Sequence, residues 1–254
     1  MIHPTALIDP RAQLDQTVEV GPWCTIGPHV TLGAGCVLKS HVVLKGHTDI
    51  GQSNTFFPFT VIGEVPQDLK YRGEPTRLVI GDRNTFRENV TINIGTAQGG
   101  GVTQIGSDCL LMGCVHVGHD SQLGNHCIVA NNAALAGHVV LGDYVTLGGV
   151  TGVGQFTRIG AHAYIGGHSA VEKDVPPFSI AFGSRPCVLK GTNIVGLRRR
   201  GFSNDTIMRI NEAIKLWGRP DVPKEQCLLE MESECLEVQG LIAFIRQSES
   251  GVVR

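Results

Sequence analysis

Within five residues the chain places His116, His119 and Asp120 around an aliphatic Val117, in the run Gly113-Cys114-Val115-His116-Val117-Gly118-His119-Asp120. An imidazole with an ordinary pKa of about 6.5 suits general-base work at neutral pH, where it takes the proton from an attacking hydroxyl. An adjacent carboxylate can fix the ring's tautomer and stabilise its charged form. His138 follows nineteen residues after His119. All three residues of the run are expected on outward-facing positions, where an isolated histidine is equally well explained as a solvated side chain. The choice rests on the elements that carry them.

Those elements are set by a period of six. From Ile2 an aliphatic or aromatic residue falls at every sixth position through Ile8, Leu14, Val20, Ile26 and onward to Ile62. The phase returns at Ile80, Phe86 and Ile92, slips by one residue across Gly95 to Gly101, and resumes from Ile105 to Val171. A period of six fits neither a helix nor a continuous strand, but it fits a prism of three short flat faces with one apolar residue per face pointing inward. Three hexads make one coil, so the twenty-six hits predict about nine coils. With such a spacing, His119 and His138 stand one coil plus one residue apart and can meet on adjacent coils. The residue after each inward position is often glycine, as at Gly21, Gly33, Gly81 and Gly124, where a corner can use its freedom in φ. The fifth position is small, and Cys24, Cys36, Cys109 and Cys127 occupy it as core filler.

Extra residues can leave such a coil only at a corner. Two interruptions, near 63–78 and 95–103, are therefore predicted to be loops and candidate site elements. The first carries Gln67, Asp68, Lys70, Tyr71 and Arg72; the second, Thr96 to Gly101, reads as flexible. The repeat ends near Val175-Pro176-Pro177, so residues 1–186 are expected to form the prism and 187–254 a small helical domain. Ser203 is placed to cap a helix with Ile207, Ile210, Ile214 and Trp217 on one side. A second helical stretch is expected from Pro223 through Leu228, Leu229, Met231, Leu236, Leu241, Ile242 and Phe244. Trp23 and Trp217 read as packing residues.

Composition limits the remaining classes. Glycine, at 33 of 254 residues, is abundant, charged residues are 17 %, and the net charge is −2, which excludes a strongly basic nucleic-acid binder. No apolar run approaches the roughly 20 residues of a membrane span, and the start Met-Ile-His-Pro lacks the features of a signal peptide. A cytoplasmic protein with reduced thiols is the expectation. Eight cysteines form no CxxC or Cys/His cluster with ligand spacing, so neither metal nor cofactor is expected.

Several strings together resemble one family, the acyl carrier protein dependent UDP-N-acetylglucosamine O-acyltransferases of lipid A biosynthesis. They are Gly63-Glu64-Val65-Pro66-Gln67-Asp68-Leu69-Lys70-Tyr71, Gly73-Glu74-Pro75-Thr76-Arg77, His116-Val117-Gly118-His119-Asp120, Ala130-Asn131-Asn132 and Leu135-Ala136-Gly137-His138. Gly148-Gly149, Gln155-Phe156, Gly166-Gly167 and Gly196-Leu197-Arg198-Arg199-Arg200-Gly201-Phe202 extend the match over essentially the whole chain. The resemblance implies a left-handed parallel β-helix with a small C-terminal α-helical domain, assembled as a homotrimer with sites between subunits. It implies transfer of a 3-hydroxyacyl group from acyl carrier protein to the sugar 3-hydroxyl, the first step of lipid A synthesis, with His119 as general base and Asp120 as its partner. It further implies that His116, His138, Gln155, Asn193, Arg199 and Arg200 contact the nucleotide sugar. Gln67, Asp68 and Lys70 would hold sugar and acyl donor, Gly149 would offer its amide to the thioester carbonyl, and Gly167 would measure acyl length.

The chain departs from the commonest family pattern at Asn93-Ile94, Gly154, Arg185 and Val195, which leaves the acyl chain open, as well as oxygen or nitrogen at sugar position 3. A related transferase acting on a 3-amino sugar nucleotide, or using acyl-CoA, is the alternative enzyme. A zinc prism would use three histidines, for which His126, His162 and His168 come near the spacing. A non-catalytic prism leaves the His-Asp cluster and both loops unexplained.

Overall fold

The computed structural model describes residues 1–254. Most inward residues of the hexad end a strand of two to four residues, and the strands stack into three sheets of nine, eight and ten, parallel throughout except for the last strand of the third. The architecture is a left-handed parallel β-helix. Pairing is eighteen residues apart wherever the coil is plain, as in Ile8 with Ile26 and Val117 with Leu135. Ile62 pairs with Ile92, thirty residues on, and Ile92 with Val117, twenty-five on. The first loop thus adds two whole hexads and keeps the phase, while the second adds one hexad plus one residue and causes the slip. Inside, a single column of apolar side chains runs the length of the prism, with Phe56 and Phe86 stacked at 4.9 Å. Cys24, Cys36, Cys109 and Cys127 are buried as filler. Between Cys36 and Cys109 the same column holds Asn54 and Asn84, whose side-chain amides donate to the Gly81 and Gly106 carbonyls and accept from the Asn84 and Cys109 backbone amides in a ladder.

The repeat glycines owe their place to close approach. A Cβ on Gly21 would stand 2.4 Å from the Lys39 carbonyl oxygen, and one on Gly33 2.6 Å from that of Gly51. Neither adopts positive φ. The left-handed residue comes two positions later, at Trp23, His41, Asp120, His126, Asn132, His138 and others. The expectation of φ freedom was therefore assigned to the wrong corner residue; at Gly21 and Gly33 the next coil's backbone stands where a Cβ would be.

The last parallel strand, Ser179–Phe182, is followed by Val188–Thr192, which runs back antiparallel to it. Four helices follow: α1 (Ile194–Arg199), α2 (Asn204–Trp217), α3 (Lys224–Glu230) and α4 (Leu236–Arg246). Ser203 caps α2 by accepting from the Thr206 amide at 3.0 Å. The single helix expected from Pro223 is two, because Glu232, Ser233 and Glu234 interrupt the apolar period and the Ser233 hydroxyl accepts from the Cys235 amide. Ile207, Ile210, Ile214, Trp217, Leu228 and Leu241 form a second core. The tail returns to the prism, where Asp174 exchanges backbone bonds with Gly251 and Val253. Trp217 is packed as expected, whereas Trp23 is 60 % exposed. No helix is long and apolar enough to cross a membrane.

Candidate active site

The corner after strand His116–Val117 carries His119 and Asp120, and both are buried, at 7 % and 4 % exposure. This corrects the outward placement expected for them: the second loop folds over the corner. Asp120 sits in the left-handed region at φ 59°, a conformation that aspartate tolerates better than most residues. Its carboxylate accepts three hydrogen bonds. The Thr96 amide donates to Oδ1 at 2.8 Å, the Thr96 hydroxyl to Oδ2 at 2.6 Å, and His119 Nδ1 lies 2.8 Å from Oδ2. The Asp120 amide donates to Thr103 Oγ1 at 2.8 Å.

The imidazole of His119 lies flat against bare backbone. A Cβ on Gly137, one coil on, would stand 2.5 Å from its Cε1. His138 takes the next left-handed corner, edge-on to His119 at 5.1 Å, with Nε2 3.7 Å from Asp120 Oδ2. Phe156, eighteen residues later on the same corner, stacks on His138 at 4.3 Å. The spacing argument that His119 and His138 meet is borne out. One donor atom from each of His119, Asp120 and His138 lies within 4.8 Å of the others, but the carboxylate is already bonded to both Thr96 and His119, so this is a hydrogen-bonded dyad with a third ring beside it. His126, His162 and His168 do not converge: His126 and His162 flank Tyr144 in a stack along another corner.

Over the dyad lies a cleft of about 560 Å³, lined by Gln67, Asp68, Leu69 and Lys70 from the first loop and Thr96 and Gln98 from the second. His119, His138, Gln155 and Phe156 form its floor. The second loop is not a slack segment: residues 97–99 make a 3-10 turn capped by the Thr96 side chain, and Gly101 donates to the Thr96 carbonyl.

The remaining predicted residues lie elsewhere. Asn193, Arg199 and Arg200 line a second cleft of about 510 Å³ on the third sheet, with Tyr144, His162, Tyr164 and Val195. Arg200 lies 4.5 Å above the Tyr144 ring, and Asn193 caps α1 while donating to the His162 carbonyl. His116, half-buried on the first sheet, bonds Thr91 at 2.8 Å. Gly149 and Gly167 meet on adjacent coils, where a Cβ on Gly167 would be 3.1 Å from the Gly149 carbonyl oxygen. Of the departures, Asn93 is buried and donates to the Val65 carbonyl at the root of the first loop, and Arg185 pairs with Glu172 at the surface. Thr103 and Gln98 were not singled out from the sequence, and Thr96 and Phe156 stood in quoted segments without a role. Phe156 was within reach, because the eighteen-residue period puts it directly above His138.

Burial pushes the imidazoles of His116, His138 and His162 below the ordinary 6.5, opposed at His138 by Asp120 and reinforced at His162 by Arg200. As pH falls through 6.5 the unfolded chain takes up these protons before the folded chain does, so stability is present above that pH and declines below it. The carboxylates with lowered values, such as Asp9 and Asp108, titrate further down. Thermal midpoints should therefore drop already between pH 7.5 and 5.5; an unchanged midpoint over that window would contradict the sign.

Two family profiles match the chain: the one described as UDP N-acetylglucosamine O-acyltransferase, domain 2, over residues 174–253, and the bacterial transferase hexapeptide repeat over 103–137. The acyl-[acyl-carrier-protein]–UDP-N-acetylglucosamine O-acyltransferase of Saccharophagus degradans is 51 % identical over 256 residues, covering 100 % of this chain and 99 % of that one. The enzyme of the same name from Anaeromyxobacter sp. is 47 % identical over 82 % of this chain and 81 % of its own. The solved structure of LpxA from Acinetobacter baumannii superposes with a TM-score of 0.96 at 47 % identity, covering 100 % of this chain and 99 % of that one. With half its residues shared from end to end, and the same fold throughout, the chain belongs to the acyl-[acyl-carrier-protein]–UDP-N-acetylglucosamine O-acyltransferase family.

Proposed function

We propose that this chain transfers a 3-hydroxyacyl group from acyl carrier protein to the 3-hydroxyl of the glucosamine ring of UDP-N-acetylglucosamine, the first step of lipid A biosynthesis. The observation that carries the mechanism is the buried His119–Asp120 pair beneath the cleft. A carboxylate that accepts from Thr96 has only acceptor sites left for His119, so Nδ1 carries the proton and Nε2 keeps its lone pair. Nε2 takes the proton from the sugar hydroxyl as its oxygen attacks the thioester carbonyl. The new C–O bond forms, the C–S bond breaks, and the proton held on His119 passes to the departing thiolate. The oxyanion role is assigned to the Gly149 amide, which the fold sets on a different corner from His119 and outside the lining of its cleft, so that a neighbouring subunit would supply it. Gln67, Asp68 and Lys70 hold the sugar and donor beside His138 and Gln155.

In this reading Asn193, Arg199 and Arg200 bind the nucleotide, the arginines through charge-assisted bonds to phosphate. His116 belongs to the same sugar-nucleotide surface. The two clefts of one chain face different sides, which supports a homotrimer in which each His119 cleft is completed by a neighbour's arginines. An edge with Trp23, Phe59 and Val150 more than half exposed is the apolar surface such an assembly would cover. Residues 1–186 serve as scaffold, 187–254 as the helical domain, and the enzyme works in the cytoplasm.

The test is turnover with UDP-N-acetylglucosamine, its 3-amino analogue and a ladder of 3-hydroxyacyl carrier proteins, read by mass spectrometry. Ester formation with the first sugar is expected; reaction only with the amino analogue, or only with acyl-CoA, would overturn the assignment. In the same assay Gly167→Met should shift the preference to shorter chains, because a side chain at that corner fills the space against Gly149. An unchanged profile would place the length limit elsewhere.

A further inference from the structure

We infer that Thr96 is a positioning residue of the transfer reaction, holding the Asp120 carboxylate in the plane and hydrogen-bonding state that fix the tautomer of His119. The inference rests on the general-base reading above. Thr96 is 4 % exposed and lies on the inserted loop, far in sequence from the dyad. Both of its donors point at one carboxylate: the amide at Oδ1 and the hydroxyl at Oδ2, the oxygen that also faces His119 Nδ1. The direction of the hydroxyl proton is fixed by its surroundings. Thr96 Oγ1 accepts from the Gly99 amide at 3.1 Å, which leaves its own hydrogen for Asp120.

The loop is shaped to allow this contact. A Cβ on Gly99 would stand 2.2 Å from the Asp120 carboxyl carbon, so only a glycine lets the turn lie directly on the carboxylate. From below, the Asp120 amide is tied to Thr103, the residue where the loop rejoins the prism. Asp120 is thus gripped by both ends of the second loop. Bonded at both oxygens, it cannot rotate about its terminal torsion to release Nδ1, nor present a proton to it. Residues that hold the partner of a functional imidazole, known best from metal sites, typically contribute about 10- to 100-fold in affinity or activity.

The same hydroxyl caps the 97–99 turn, which by itself would give it a purely local role. The two roles differ in what they change. For Thr96→Val, kcat should fall about 10- to 100-fold with KM for sugar and acyl donor nearly unchanged, while Thr96→Ser, which keeps the hydroxyl, should restore most of the rate. In an Asp120→Asn background, Thr96→Val should cost little more, because the contact through which it acts is already altered. Loss expressed mainly in KM, equal loss in the serine variant, or full additivity with Asp120→Asn would overturn the proposal. If Thr96→Val fails to fold, Thr96→Ala replaces it, and a second failure would show the residue to be structural. A wild-type enzyme without transfer activity would instead defeat the general-base reading itself.

Discussion

His119→Ala should lower kcat by about 10²- to 10⁴-fold, the range typical of a lost general base, while the protein keeps its fold and its affinity for the nucleotide sugar. The fold should survive because the side chain contributes little to the core: the ring rests on the Gly137 backbone at the edge of a cleft, outside the column from Val18 to Val175. His138 does not substitute for it. Its Nε2 faces the same carboxylate at 3.7 Å, and its ring is fixed by stacking on Phe156. Asp120→Asn should show much of the same loss, since an amide can offer Nδ1 a donor and so stabilise the wrong tautomer. The measurements are steady-state kinetics beside a thermal melt. A His119→Ala enzyme within a few fold of wild type, with an unchanged melt, would remove His119 from the chemistry and reopen the reading of the prism as a scaffold without catalysis.

How much of this was legible beforehand depends on the range of the contacts involved. The inward residues from Val20 to Val171 could be read off, because a solenoid decides each position by its own place in the repeat, although Ile2, at the open end, is exposed; the slip at the second loop already encodes an insertion of seven residues. Ser203 was legible for the same reason: a cap is local. The break at Glu232–Cys235 is local too, but its apolar neighbours Leu229 and Leu236 concealed it, and in the fold both are exposed. The burial of Asp120 was not legible. It is produced by Thr96, twenty-four residues away across an insertion whose path no period describes. The glycines of the hexad were correctly located and wrongly explained, since the clash that selects them involves the next coil's carbonyl. Family resemblance named Asn193, Arg199 and Arg200 as site residues without showing that they line a different cleft from that of His119.

That separation yields the second prediction. Arg199→Ala with Arg200→Ala should abolish measurable turnover at ordinary nucleotide-sugar concentrations, because each charge-assisted bond to phosphate is worth about 1.5–3 kcal/mol. Mixed with His119→Ala subunits, however, the arginine-less chains should regain activity. Neither parent has a competent site, yet if a site takes His119 from one subunit and the arginines from the next, random mixing makes about a quarter of the sites intact. The apparent KM of that recovered activity should equal the wild-type value, since each rescued site is chemically complete. Sites contained in single chains predict no recovery at any mixing ratio. Exchange must be allowed by co-expression or by unfolding and refolding together, since each prism buries its own core and assembled subunits need not trade places. Recovery at the wild-type KM would show that the two clefts, separate on one chain, belong to one reaction; its absence would require Arg199 and Arg200 to reach the dyad by a rearrangement of α1, which Asn193 pins to the His162 carbonyl.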